Sequence, residues 1–187
     1  MAIYSLGIDV GSTTVKTVII NNNKDIIYSE YQRHFSKVKE AVKEQLEIIA
    51  EKFPDDTFRV CMTGSAGLGL ANGAEIPFVQ EVNSAFIAVK ERFSDIDAVI
   101  ELGGEDAKII FMTGGVEQRM NGSCAGGTGA FIDQMATLLK MGADEMDIAA
   151  QKAEKTYTIA SRCGVFAKSD IQPLINQGAK APDIAAS

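Results

Sequence analysis

Apolar residues, many of them β-branched, alternate or run together in short segments along this chain. Such runs cover Ile3 to Asp9, Val15 to Ile20, Asp25 to Arg33, Phe58 to Met62, Ala98 to Leu102, Ala107 to Met112 and Gly115 to Met120, and each predicts a strand. Elsewhere the period lengthens. Val38, Ala41, Val42, Leu46, Ile49 and Phe53 share one face of a helix predicted over Ser36 to Phe53, which Pro54 closes. Ala85, Phe86, Val89 and Phe93 do the same for Val82 to Phe93, and later helices are expected over Gly129 to Met141 and from Cys163 or Gly164 to Asn176. Asn21-Asn22-Asn23 and Thr113-Gly114-Gly115 read as hairpin turns. The resulting order is a mixed α/β layout in which two antiparallel hairpins flank parallel crossover units.

Composition narrows the partners. The 187 residues give room for one domain or one and a half, with 46% hydrophobic and 23% charged positions. Lys and Arg number 18 against 25 Asp and Glu, a net charge of −7 with no basic stripe, so nucleic acid and anionic lipid are excluded as partners held by bulk charge. No run approaches the roughly 20 apolar residues of a membrane span. The start, MAIYSLGIDV, lacks a basic segment and a small-residue cleavage site, so a cytoplasmic location is expected. Three cysteines in such a chain argue for thiol or metal chemistry before disulfides.

The 17 glycines cluster, and three clusters carry candidate chemistry. In Gly7-Ile8-Asp9-Val10-Gly11-Ser12-Thr13-Thr14-Val15-Lys16 a strand ends in an acid, turns through glycine and hydroxyl residues and returns as a strand. Backbone N–H groups and hydroxyls on such a turn suit phosphate oxygens, with Asp9 placed to organise a hydrated Mg2+ and Lys16 as a counter-charge. An ordinary hairpin turn accounts for this segment equally well. Leu102-Gly103-Gly104-Glu105-Asp106-Ala107-Lys108 repeats the grammar, and Glu105 or Asp106 can orient an attacking water or hold the metal through water. The two loops together are expected to close on opposite sides of a nucleotide phosphate tail.

The third cluster is Asn121-Gly122-Ser123-Cys124-Ala125-Gly126-Gly127-Thr128-Gly129-Ala130-Phe131, a cysteine in a glycine-rich turn ahead of a helix. Exposed N–H groups and the helix dipole at such a position favour a thiolate or an anionic ligand. A second cysteine, in Ser161-Arg162-Cys163-Gly164-Val165-Phe166, also precedes a helix, whereas Cys61 sits in an apolar strand and reads as core. An iron–sulfur cluster takes four thiolates, so two cysteines from each of two symmetry-related chains complete one. His34, the single histidine, reads as a solvated strand-end residue among polar neighbours. Met62 to Gly67 reads either as a connecting loop or as the border of the nucleotide cleft, Glu81 opens a helix that Asn83 or Ser84 can cap, and the run Asp144-Glu145-Met146-Asp147 reads as a solvated helix start.

In this order, GIDVGSTTVK, LGGEDAK, NGSCAGGTGAFID and SRCGVFAKSDI resemble the ATP-dependent activators of 2-hydroxyacyl-CoA dehydratases and the related ATPase subunits of benzoyl-CoA reductases, over essentially the whole chain. The first two motifs are shared with the actin, hexokinase and heat-shock chaperone ATPase superfamily, and the cysteine motifs are specific to the activators. The resemblance implies a ribonuclease H-like mixed sheet with flanking helices, a first lobe over residues 1–95 and the start of a second lobe over 96–187. It implies catalytic roles for Asp9, Glu105 and Asp106. ATP or ADP with Mg2+ is then held by Gly11, Ser12, Thr13, Thr14, Lys16, Gly103, Gly104, Lys108, Gly127 and Thr128. It further implies an oxygen-sensitive homodimer in which Cys124 and Cys163 of each subunit ligate one shared [4Fe-4S] cluster. Reduced by ferredoxin or flavodoxin, such a protein uses ATP to inject one low-potential electron into an acyl-CoA dehydratase component, its helices swinging when the nucleotide changes.

Two departures qualify what the resemblance implies. Glu105 stands where many short activators have Gln, which leaves a base role open beside water positioning. The family continues into a glycine-rich adenosine-binding segment, whereas here Gln177 to Ser187 closes the chain, so a truncated second lobe and weak nucleotide affinity are expected. The alternatives are a small-molecule kinase of the same superfamily with Asp106 as base, and a non-catalytic dimerisation or docking fragment.

Overall fold

The computed structural model describes residues 2–114, 117–121 and 126–187. Its elements run β1 (Ile3–Val10), β2 (Thr14–Ile20), β3 (Ile26–Arg33), α1 (Val38–Lys52), β4 (Thr57–Thr63), α2 (Gly67–Gly73), α3 (Glu81–Arg92), β5 (Ala98–Leu102), β6 (Ala107–Phe111), β7 (Glu117–Met120), α4 (Gly129–Leu138), α5 (Ala143–Ala150), α6 (Gly164–Asn176) and α7 (Ala181–Ala186). They divide into two compact units, Met1–Val99 with Ile110–Gln118 and Ile100–Ile109 with Arg119–Ser187.

The first unit is built on a sheet of order β3-β2-β1-β4, with β1 antiparallel to β2 and parallel to β4. Leu6, Ile8 and Val10 alternate along β1, and Val15 and Ile19 lie along β2, all of them buried. The period-2 pattern thus becomes one apolar face. Helix α1 crosses between β3 and β4 and buries Ala41, Gln45 and Ile49, spaced by four so that they share one face. Tyr4, Phe53 and Phe58 close the far end, with ring centroids 6.0 to 6.2 Å apart. Truncating a fully buried residue such as Ile8 to Ala is expected to cost about 2–5 kcal/mol. This parallel β1–β4 pairing aligns Asp9 with Thr63.

Helix α2 begins where the expected connector ends, in a stretch for which the pattern predicts no element. Gly67-Leu68-Gly69-Leu70-Ala71-Asn72-Gly73 carries three glycines and little helix propensity, yet it forms because tertiary packing overrides propensity. A Cβ at Gly67 would lie 3.4 Å from the Phe78 ring and 3.6 Å from the Val10 Cβ, and Ala71 is fully buried.

In the second unit Met135, Ile171 and Ile184 form the core, with Phe131, Leu138, Leu139, Tyr157, Ile159 and Leu174 packed against them. The acidic run read as a helix start is the first turn of α5, where Glu145 accepts the Gly142 N–H at 2.8 Å. Helix α7 was not expected. Pro182 starts it, and the buried Asp183 accepts the N–H groups of Glu154 at 2.9 Å and Lys155 at 3.3 Å, tying the helix to the strandless stretch after α5. Strands β5, β6 and β7 form a three-stranded sheet in that order. Among the described residues no helix is long and apolar enough to cross a membrane.

Candidate functional site

The Asp9 loop is a tight reversal between two paired strands. Asp9 faces Lys16 and Val10 faces Val15 in the β1–β2 register, and the Gly11 N–H donates to the Thr14 carbonyl at 2.9 Å. Lys16 Nζ donates to Asp9 Oδ2 at 2.7 Å, so the expected counter-charge is held on the acid. The other oxygen, Asp9 Oδ1, is buried and has no hydrogen-bond partner among the described residues. A buried carboxylate oxygen without a donor is costly, and a water, a cation or a ligand proton is what satisfies it.

Gly64 explains how Asp9 reaches that position. It follows β4 in the left-handed region at φ 94°, and a Cβ there would overlap Asp9 Oδ1 and the Val10 carbonyl. Only glycine leaves the space. Thr63 beside it accepts a hydrogen bond from Ser84 of α3 at 3.3 Å. The stretch read as either a connector or a cleft border therefore forms one wall of the Asp9 site. The readable signal was a glycine one residue beyond the strand that pairs in parallel with β1.

His34 is not the solvated residue expected from its neighbours. It is 6% exposed, its ring Nε2 lies 3.1 Å from the Gly11 carbonyl, and its backbone N–H donates to the Thr13 carbonyl at 3.1 Å. The register that pairs Thr14 with Arg33 carries the next residue onto the loop.

The second loop repeats the backbone hydrogen bond of the first. Its Gly103 N–H donates to the Asp106 carbonyl at 2.8 Å, as Gly11 does to Thr14. An acid two residues before that glycine and a lysine five after it pair in both: Asp9 with Lys16, and Glu101 with Lys108 at 3.5 Å. Lys108 also meets Asp106 at 3.2 Å and is 8% exposed. Asp106 folds back over its own loop, where a Cβ at Gly103 would overlap its Oδ1, whereas Glu105 is exposed. Of the two acids named for water positioning, Glu105 is thus the one turned to solvent.

The described flanks of the Cys124 turn are bonded to this second loop. Asn121 accepts the Ala107 N–H on its side-chain oxygen at 2.8 Å and donates its own N–H to the Ala107 carbonyl at 2.9 Å. On the other flank Gly129 and Ala130 donate to the carbonyls of Gly103 and Gly104 at 2.9 and 2.8 Å. Thr128 is fully buried and caps α4, accepting the Phe131 N–H at 3.4 Å, while Gly127 is exposed at φ 80°. The first amides of α4 are therefore occupied by the loop and the cap.

Cys163 is the N-cap residue of α6, half-buried and, among the described residues, without a disulfide. A Cβ at the adjacent Gly164 would lie 3.0 Å from the Phe131 ring and 3.3 Å from the Gly126 Cα, so the second cysteine turn rests on the chain just after Cys124. Cys124 itself lies outside the described residues, and among the described residues no group of three or more His, Cys, Asp and Glu side chains is assembled for a metal. Cys61, in β4, is half-buried. At the surface Lys24 holds the Glu91 carboxyl below its ordinary range through a hydrogen bond, and Glu154 raises Lys180 in the same way.

The profile of the BadF/BadG/BcrA/BcrD ATPase family matches residues 6–187. The chain belongs to this family. It is 31% identical over 191 residues to the (R)-2-hydroxyglutaryl-CoA dehydratase activating ATPase of Acidaminococcus fermentans, covering all of this chain and 73% of that protein. It is 32% identical over 182 residues to the activator of lactoyl-CoA dehydratase of Anaerotignum propionicum, covering 94% of this chain and 69% of that one. The solved structure of the activator of 2-hydroxyisocaproyl-CoA dehydratase from Clostridium difficile, with bound ADPNP, superimposes with a TM-score of 0.83 at 29% identity over 98% of this chain and 69% of that one. The mixed α/β ATPase fold expected from the motifs is the fold observed.

Proposed function

We propose that this family member is an ATP-hydrolysing activator of a 2-hydroxyacyl-CoA dehydratase-type partner, the role that the names of its relatives carry, and that it delivers a low-potential electron to that partner. The observation that carries the reading is the set of four hydrogen bonds joining Gly103, Gly104 and Ala107 to both flanks of the Cys124 turn. A loop that binds phosphate and a turn that holds a redox centre are, in this arrangement, one hydrogen-bonded piece.

Each residue has a stated task. Asp9, through its partnerless Oδ1, binds Mg2+ by way of water, and Gly64 keeps that space open. Lys16 holds Asp9 in place and offsets phosphate charge, and Gly11, Ser12, Thr13 and Thr14 present the turn to phosphate oxygens. In the second loop Gly103 and Gly104 allow close approach, Lys108 fixes the acids, and Glu105 orients the attacking water. Cys163, with Cys124, is a thiolate ligand, and two copies of the chain supply the four thiolates of a shared [4Fe-4S] cluster. When bound, that cluster supplies the one-electron chemistry. A ferredoxin or flavodoxin reductant and a cytoplasmic homodimer complete the proposal.

The test follows from the four hydrogen bonds. In anaerobically reconstituted protein, exchanging Mg-ADP for Mg-ATP should alter the EPR spectrum of the reduced cluster. Asn121→Ala should retain nucleotide binding and cluster but lose that response. A response intact in Asn121→Ala contradicts the coupling. Absence of ATP hydrolysis by the wild-type dimer contradicts the activator reading as a whole.

A further inference from the structure

The segment His34-Phe35-Ser36 is strained, and nothing in the proposed chemistry uses it. Phe35 and Ser36 both adopt left-handed backbone, at φ 45° and 66°, although neither is glycine. Two consecutive residues in this region are unfavourable and persist only where surrounding contacts impose them. The contacts come from His34. Its backbone carbonyl accepts the Lys37 N–H at 2.7 Å, its ring Nδ1 lies 3.1 Å from the Ser36 nitrogen, and its Nε2 lies 3.1 Å from the Gly11 carbonyl.

These distances determine the tautomer. The Ser36 N–H can only donate, so Nδ1 must be the unprotonated acceptor, and the ring proton resides on Nε2 and is donated to the Gly11 carbonyl. Both ring nitrogens of a 6% exposed imidazole are thereby satisfied in its neutral form. One residue grips the loop twice, with the ring on Gly11 and the backbone N–H on the Thr13 carbonyl at 3.1 Å. A trans peptide is planar, with its C=O and N–H directed oppositely. Fixing the Gly11 carbonyl toward the ring therefore turns the Ser12 N–H to the other side of the loop.

We infer that His34 is a positioning residue for nucleotide binding: its Nε2–H locks the Gly11–Ser12 peptide so that the Ser12 N–H is presented to phosphate, and the strained Phe35–Ser36 turn holds the ring in that tautomer. This assignment rests on the Asp9 loop being a nucleotide site. The loop is thereby braced by an imidazole from the neighbouring strand end.

Two substitutions separate the ring's two contacts. In His34→Asn the side-chain oxygen can still accept from Ser36, but no donor reaches Gly11. In His34→Gln the amide nitrogen reaches the Nε2 position. Titration calorimetry with Mg-ADP should show affinity roughly fivefold weaker in His34→Asn, the effect of one ordinary hydrogen bond, and restored to within about twofold of wild type in His34→Gln. Because His34 is the single histidine, 15N-histidine labelling gives one imidazole whose NMR signals need no assignment. Wild-type protein should show the Nε2–H tautomer, and its signals should shift on saturation with Mg-ADP. Unaltered affinity in folded His34→Asn, an Nδ1–H tautomer, or an imidazole indifferent to nucleotide each overturns the assignment. Should His34→Asn fail to fold, the wild-type spectrum decides. Wild-type binding that Asp9→Asn leaves unchanged, or no binding at all, counts against the nucleotide site itself and removes the basis of the assignment with it.

Discussion

The Asp9 loop and the Glu101–Lys108 loop share one plan and differ in what braces them. In each, an acid precedes a glycine by two positions, the glycine N–H bonds the carbonyl three residues on, and a lysine five residues after the glycine pairs with the acid. The first loop is braced by His34 and by the absence of a side chain at Gly64. The second is braced by the opening amides of α4 and by Asn121, the elements that flank Cys124. A recurring loop is thus made specific by its support. The first support serves the loop alone, and the second ties it to the cysteine turn.

The largest effect that sharpens this contrast is expected from glycine substitution. At Gly64 a methyl group would meet backbone and the strand-end acid in a left-handed conformation, so Gly64→Ala should lower stability by about 2–4 kcal/mol in denaturant unfolding. At Gly103 the overlapping atom is the end of the Asp106 side chain, which can rotate away, so Gly103→Ala should cost about 1 kcal/mol or less. Equal losses at both positions would break the distinction.

Next in size is the division of labour between the two acids of the second loop. Glu105→Ala should lower ATP turnover about a hundredfold with nucleotide affinity retained, while Glu105→Gln stays close to wild type if the side chain orients water. A loss in Glu105→Gln as deep as in Glu105→Ala would instead assign it as a base. Asp106→Asn, by contrast, should act mainly through stability, since Asp106 is engaged by Lys108.

The lysines give a smaller effect. Lys108 is 8% exposed between Glu101 and Asp106, which are themselves 26% and 37% exposed, so Lys108→Met leaves two close acids and should cost about 1–3 kcal/mol after screening. Lys16, 41% exposed beside one acid, should cost about 1 kcal/mol or less on the same change. Thermal unfolding of the two variants ranks them directly.

The smallest effect lies outside both loops and calibrates the scale. Lys24 holds the folded-state pKa of Glu91 below its unfolded value. Any stabilisation from the pair is therefore present above the ordinary carboxylate range and disappears as pH falls through the folded value. The melting-temperature difference between wild type and Glu91→Gln should be slight at neutral pH, vanish in acid, and shrink with salt because both groups are exposed.

What was legible in the sequence was local. The period-2 runs set the strands of the first sheet to within a residue or two, and the glycine-hydroxyl turn and the GGED turn marked both loops, because backbone reversal between paired strands needs those residue types close in sequence. The braces were illegible because each comes from elsewhere in the chain. His34 lies 23 residues from Gly11, among polar neighbours that suggested solvent. Helix α2 carries three glycines, and the packing of one of them, Gly67, against Val10 and Phe78 is something no propensity reveals. Helix α7 depends on Asp183 accepting amides 28 and 29 residues away. The cysteine turns were read as a pair from four-thiolate arithmetic, and the structure adds the contact of Gly164 with Gly126.

The central claim is that two chains share one cluster through Cys124 and Cys163, and iron and acid-labile sulfide analysis of the anaerobically reconstituted protein tests it most directly. The account predicts about four of each per two chains, lost together in Cys163→Ser and in Cys124→Ser and retained in Cys61→Ser. A full complement of iron and sulfide in Cys163→Ser would contradict it.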